Sequence, residues 1–268
     1  MSATINHIAI CSNNYATNAK FYQALFGMKV SSNPRPARAV PIGDGQIGLN
    51  NIPLREGRRS GLDHFGFAVD SISEALERMR KFDPTLEYVK RPSVRPNAAY
   101  SAHDPDGAVF DLTEKNSGLQ TDIFAEGGWE QPRYIDHITL RTRHVERCGQ
   151  FYAEVFGLQR LNAPTDKNVY LSDGRVTLMI TPWTMADFAG HDPMPMGLEH
   201  IGFRVESVAA LKRDMEDLIG QNPQMVTKPL GYGSEGKARL ELFQRCPLGC
   251  FHLTDIEGVY LDVSEAKA

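Results

Sequence analysis

Ile5-Asn6-His7-Ile8-Ala9-Ile10 is written four times in this chain. Its copies are Leu62-Asp63-His64-Phe65-Gly66-Phe67, Ile135-Asp136-His137-Ile138-Thr139-Leu140 and Leu198-Glu199-His200-Ile201-Gly202-Phe203. Each sets an apolar residue, then Asn, Asp or Glu, then His, ahead of alternating apolar residues. Alternation with a period of two predicts a strand. Four of the eight histidines therefore share one slot of a repeated strand, and the chain reads outward from that slot.

The segments between the copies alternate between two patterns. After His7, the segment 17–28 carries Phe21, Leu25 and Met28 at helical spacing, and Gly27 suits a left-handed helix stop. Two short strands are then expected around the hairpin sequence Gly43-Asp44-Gly45. Phe151 to Leu158 and Ser172-Asp173-Gly174 repeat both features after His137. After His64 the sequence predicts a helix over 73–82, strands around 87–90 and 98–102, the turn His103-Asp104-Pro105-Asp106-Gly107 and a last strand over 108–113. After His200 it predicts a helix over 208–219, the turn Asp255-Ile256-Glu257-Gly258 and a last strand over 259–263. Modules one and three match, as do two and four. This divides the chain into an N-terminal domain over 1–117, a linker over 118–132 holding Gly127-Gly128, and a C-terminal domain over 133–268. The second half has gained length near 184–195 and near 230–246, and added segments on a fixed scaffold are where function tends to sit.

Composition narrows the class. At 268 residues, 41% hydrophobic and 23% charged, the chain can bury one large core or two ordinary ones. A net charge of −4 without long single-sign runs argues against nucleic acid and against an anionic membrane as partner. No apolar run approaches the ~20 residues that span a bilayer, and the N-terminus enters a strand too early for a signal peptide. A cytoplasmic protein with a small-molecule partner is expected, and self-association into a homo-oligomer stays open. Cys11, Cys148, Cys246 and Cys250 are too scattered for a disulfide framework. Cys246, Cys250 and His252 could be a fragment of a zinc motif, but lack a partner pair, so free thiols are expected.

Strand parity sorts the side chains. His7 falls with Ile5, Ala9 and Cys11, His64 with Gly66 and Ala68, His137 with Thr139 and Arg141, and His200 with Gly202 and Arg204. The opposite parity holds Phe65, Phe67, Ile138, Leu140, Ile201 and Phe203, a set suited to packing on a helix. The histidines are therefore expected on a concave, solvent-reachable face. On the last strands, Asp111 lies between Phe110 and Leu112, and Asp262 shares its face with Tyr260 and Ser264.

Strand–helix–strand–strand–strand, four times in two pairs, resembles the vicinal oxygen chelate superfamily of glyoxalase I, extradiol dioxygenases and bleomycin- and fosfomycin-resistance proteins. The four histidine strands, and Asp104-Pro105-Asp106-Gly107 followed by Asp111, carry the resemblance across nearly the whole chain. It implies an α+β fold of four βαβββ modules, paired into two domains whose sheets curl around metal-binding cups. It also implies that first-strand histidines and a last-strand acid hold a divalent metal. The preferred set is His137, His200 and Asp262, and the second is His7, His64 and Asp111. Two imidazoles and a carboxylate leave positions open and suit Fe(II), with Mn(II) or Zn(II) as alternatives. Where glyoxalase I has a further Glu or Gln ligand, this chain has Gly48 and Thr177. Where the extradiol enzymes have Glu, it has Asp111 and Asp262. The extradiol Tyr slot is taken by His252 and Ser101.

The resemblance then implies an Fe(II) ring-cleaving dioxygenase acting on a small catecholic or hydroquinone-like, anionic aromatic. A glyoxalase-type lyase or isomerase, and a bleomycin-resistance-like binding protein, are the alternatives. In that reading His252 and His191 move protons, although His191 is equally well an exposed loop residue. Thr177 and Tyr260 line the substrate. Arg141 and Arg204 hold its negative group through charge-assisted hydrogen bonds, unless they sit at strand ends and face solvent.

Overall fold

The computed structural model describes residues 2–31, 39–92, 95, 97–117, 129–161, 167–184 and 196–266. His191, Gly127-Gly128, most of the expected linker and most of the added segment 184–195 lie outside them.

The first sheet contains β1 (Ala3–Ser12), β2 (Lys29–Val30), β3 (Val40–Gly43), β4 (Gly48–Pro53), β5 (Gly61–Val69), β6 (Tyr88–Lys90), β7 (Tyr100–His103) and β8 (Val109–Glu114). Their order is β2-β3-β4-β1-β5-β8-β7-β6. The second sheet contains β9 (Tyr134–Thr142), β10 (Gln159–Arg160), β11 (Val169–Ser172), β12 (Thr177–Pro182), β13 (Gly197–Val205), β14 (Phe251–Thr254) and β15 (Tyr260–Glu265), in the order β10-β11-β12-β9-β13-β15-β14. In each sheet two histidine strands pair antiparallel at the centre, and the last strand of each module runs parallel beside them. This is the α+β architecture that the resemblance implies.

Four helices come after the histidine strands: α1 (Tyr15–Phe26), α2 (Ile72–Phe82), α3 (Val145–Phe156) and α4 (Val208–Gln221). Gly27 and Gly157 end α1 and α3 at φ 70° and 71°, where a side chain would be strained. Ser71 and Ser207 cap α2 and α4 through their hydroxyls. The fourth module departs from the expected four strands. Among the described residues it has three, and the added segment folds as a further helix, α5 (Gly233–Phe243), leading through a short turn into β14.

The halves interlock by reciprocal contacts. Phe26 of α1 stacks on Phe203 of β13, and Phe156 of α3 stacks on Phe67 of β5, with ring centroids 3.9 and 4.2 Å apart. The turn aspartates work on both sides of this seam. Asp44, Asp104, Asp173 and Asp255 each accept two backbone N–H bonds of their own turn with Oδ1. Their Oδ2 atoms reach into the other half. Asp44 accepts from Ile135 N and Asp173 from Ile5 N, both at 2.8 Å, while Asp104 accepts from Tyr152 and Asp255 from Tyr22, both at 3.0 Å. One contiguous core results, running through both sheets.

Candidate metal centres

Each histidine is placed by a β-bulge at the residue before it. Across β1 and β5, Ile5 faces Phe67 and His7 faces Gly66, so Asn6 is the extra residue; Asp63 is extra in the same way between Leu62 and His64. Asp136 and Glu199 repeat the pattern in the second sheet. A bulge flips the parity of the residues before it. Ile5 therefore joins Ile8 and Ile10 in the core and Ile135 joins Ile138, correcting the strict alternation that sets Ile5 beside His7.

The bulge side chain then bonds the imidazole it precedes. His7 Nδ1 lies 2.8 Å from Asn6 Oδ1, His64 Nδ1 2.7 Å from Asp63 Oδ2, His137 Nδ1 2.7 Å from Asp136 Oδ1, and His200 Nδ1 3.2 Å from Glu199 Oε2. An amide or carboxylate oxygen only accepts, so the neutral ring carries its hydrogen on Nδ1 and turns the Nε2 lone pair toward the cup. Metal-binding histidines are oriented by this kind of partner. The repeated Asn, Asp, Asp and Glu thus orient the rings that follow them, a pattern visible in the sequence without that contact.

Two donor clusters form. His7, His64 and Asp111 make the first, and His137, His200, Asp262 and Cys246 the second, with one donor atom from each residue lying within 4.8 Å of the others. Both expected ligand sets thus come together. Small residues make the space: a Cβ at Gly66 would overlap the His7 ring, one at Gly202 the His137 ring, and one at Gly249 the Asp262 carboxylate.

The two clusters differ in what already satisfies them. In the first, Asp111 accepts from Ser101 and from Arg91 at 3.3 Å, and His64 Nε2 lies 3.3 Å from its other oxygen. Burial, and then the neighbouring His64, push His7 down to about 3. In the second, His137 Nε2 is buried without a formed hydrogen bond, its nearest acceptor being Asp262 Oδ2 at 3.3 Å, and Asp262 Oδ1 faces His252 Nε2 at 3.2 Å, again without a formed hydrogen bond. Buried polar atoms are rarely left this way. An ion between them would satisfy both, so the donor set fits a divalent metal.

The second cluster is also closed. His137 and His200 are each 1% exposed and Asp262 is fully buried, which corrects the expectation of a solvent-reachable face. Phe243, the last residue of α5, packs over the cluster, stacking on Tyr260 at 4.9 Å and contacting the His200 and His252 rings at 5.0 and 4.6 Å. His252 faces Asp262 across β14 and β15, its Nε2 3.2 Å from Oδ1. Burial lowers the His252 pKa, opposed by the Asp262 charge. Thr177 stands opposite His137 on β12, as the sequence register places it. Thr139 Oγ1 is 3.0 Å from His200 Nε2.

Both arginines expected to hold a substrate anion have acidic partners. Arg141 pairs with Glu199, and Arg204 holds Asp136 with bonds of 2.9 and 2.6 Å. Each steadies the acid that orients a histidine, so both stand behind the centre with their charge already paired. Cys246 is a residue that sequence spacing assigns to a free thiol. It is unbridged, yet its Sγ lies 3.0 Å from Asp262 Oδ2 and 3.6 Å from His200 Nε2. Burial raises its pKa, but the His137 and His200 imidazoles bring it below the ordinary thiol value.

Fold and site together define the class: the chain belongs to the Glyoxalase/Bleomycin resistance protein/Dioxygenase superfamily, whose pattern matches residues 4–112 and 134–239. The uncharacterized protein YaeR of Escherichia coli (strain K12) is 30% identical over 123 residues, covering 41% of this chain and 95% of YaeR. Among solved structures, the 2,3-dioxygenase LapB from Pseudomonas sp. KL28 aligns over 99% of this chain and 92% of its own, with a TM-score of 0.62 at 14% identity. The Mn(II)-bound glyoxalase from Novosphingobium aromaticivorans aligns over 98% and 81%, with a TM-score of 0.63 at 14% identity. The chain spans about half (49%) of a xylose isomerase-like TIM barrel/4-hydroxyphenylpyruvate dioxygenase fusion protein, with 99% of this chain aligned, a TM-score of 0.60 and 14% identity. These likenesses share the fold.

Proposed function

We propose that this chain is a metal-dependent enzyme acting on a small molecule with two adjacent oxygens, and that the C-terminal cup is its active centre. The buried cluster of His137, His200 and Asp262, with one donor atom of each lying within 4.8 Å of the others, carries the reading. His137, His200 and Asp262 would hold the ion, locked from behind by Asp136, Glu199, Arg204 and Arg141. A divalent metal bound there supplies Lewis acidity, which lowers the pKa of a coordinated hydroxyl. His252, its Nε2 facing Asp262 Oδ1 at 3.2 Å beside the cup, is the histidine placed to exchange a proton with the substrate. Phe243 and Tyr260 roof the cup and exclude water.

The reaction class turns on Cys246. Three protein donors, His137, His200 and Asp262, would leave a bound Fe(II) open to substrate, and ring cleavage is the chemistry suggested by the likeness to LapB. A thiol as fourth donor would leave fewer positions open and would suit a substrate that reacts without dioxygen. The closeness of Cys246 to the other three donors therefore favours a non-oxidative lyase or isomerase as a second reading. Oxygen uptake separates them: protein loaded with Fe(II), Mn(II) or Zn(II) is assayed with catechols and with 2-oxoaldehyde–thiol adducts, aerobically and without oxygen. Turnover that consumes oxygen supports ring cleavage, and turnover that persists without it rules ring cleavage out. If His200→Ala leaves turnover unchanged, the centre is elsewhere.

A further inference from the structure

We infer that Cys246 is a fourth protein ligand of the C-terminal centre, making it a two-histidine, one-cysteine, one-aspartate site that prefers a thiophilic divalent ion such as Zn(II). The inference rests on the metal-site reading of that cup and specifies its ligands.

Position is the first ground. The thiol sulfur approaches both Asp262 Oδ2 and His200 Nε2, at 3.0 and 3.6 Å, and lies within 4.8 Å of one donor atom of each of His137, His200 and Asp262. The carboxylate of the N-terminal cup is approached instead by Ser101 and Arg91, which donate hydrogen bonds to it and bring no thiol.

The backbone fixes that position from both ends. Cys246 N donates to Phe243 O at 3.0 Å, tying the residue to the end of α5, and Cys250 N donates to Val263 O at 2.8 Å, joining the segment to β15. Between them Gly249 lies so close to Asp262 that only a residue without Cβ fits. The added helix of the fourth module thus ends by delivering a thiol to the cup.

Chemistry is the second ground. Thiolate is a soft donor that selects Zn(II) and other thiophilic ions, while carboxylate and carbonyl sets suit harder ones. Imidazole, thiolate and carboxylate are all established zinc donors.

Cobalt(II) reports thiolate ligation by a near-ultraviolet sulfur-to-metal charge-transfer band, independently of turnover. Full-length protein carrying Asp111→Ala, titrated with Co(II), is expected to show that band, to lose it in Cys246→Ser and Cys246→Ala, and to keep it in Cys250→Ser. Zn(II) affinity, measured by chelator competition, is expected to fall at least about tenfold in Cys246→Ser. Zinc K-edge EXAFS on the unmodified protein, expected to require one sulfur scatterer, answers without any variant. Co(II) bound in a His200-dependent way without the band, and zinc with only nitrogen and oxygen neighbours, would overturn the thiol ligand and leave the three-ligand site standing. Absence of any His200-dependent metal binding would overturn both readings.

Discussion

The residue in front of each histidine sets how that histidine can act. A bulge makes room for Asn6, Asp63, Asp136 or Glu199, and its side chain takes the Nδ1 hydrogen of the next ring, which leaves Nε2 for a ligand. At His137 this support has a second layer, because Arg204 holds Asp136. Asp136→Ala is expected to weaken divalent metal binding about 10–100-fold while the fold persists, as read by chelator competition beside circular dichroism; unchanged affinity would show that the bulge residue only shapes the strand. The slot for these residues is legible in the sequence, since apolar–acid–His recurs, with Asn for the acid in the first copy. The bulge is not, because an inserted residue breaks the period of two on which parity depends. Period-two parity misplaces Ile5 for that reason, and it cannot show that the two arginines are already paired, because their acidic partners sit on neighbouring strands.

At the scale of elements, the four turn aspartates and α5 decide how the sheets are held and covered. Tyr22 and Tyr152 are fully buried phenols donating to Asp255 and Asp104. Burial first, and the adjacent carboxylate second, push both phenols well above their ordinary value of 10.0. A group whose folded pKa is raised contributes stability that is whole below its unfolded pKa and is lost as pH rises past it. Stability is therefore expected to hold up to about pH 10 and to fall beyond it, with phenolate absorbance from these two rings appearing only as the chain unfolds. Tyr152→Phe leaves a buried carboxylate short of a donor and should cost about 1–3 kcal/mol in denaturant unfolding; a cost near zero would show that Asp104 is satisfied within its own turn. The aspartates are readable as turn residues, but the use of their second oxygen across the seam is not. In sequence α5 is only an added segment, because Gly231, Gly233 and Gly236 mask its start and no heptad-like stripe marks it.

At the scale of the molecule, the halves share one core. Phe26 on Phe203 and Phe156 on Phe67 are the same contact made twice across a pseudo-two-fold axis, and four aspartates stitch the seam. Either sheet alone would expose stacked aromatic rings to water, so calorimetry is expected to give one cooperative unfolding transition, with Phe156→Ala lowering the stability of the whole by about 3–5 kcal/mol; two separable transitions would contradict a shared core. The pairing of modules is legible in the repeat, whereas interlocking depends on contacts far apart in sequence. The asymmetry of the cups belongs to this scale as well: one closes its carboxylate with Ser101 and Arg91, the other sets His252 and Cys246 against it beside α5. The most direct test is the metal content, by mass spectrometry, of untagged protein dialysed free of loose ions. A working C-terminal centre predicts about one divalent ion per chain in the native protein and in His64→Ala, and almost none in His200→Ala. Metal retained in His200→Ala and lost in His64→Ala would contradict it.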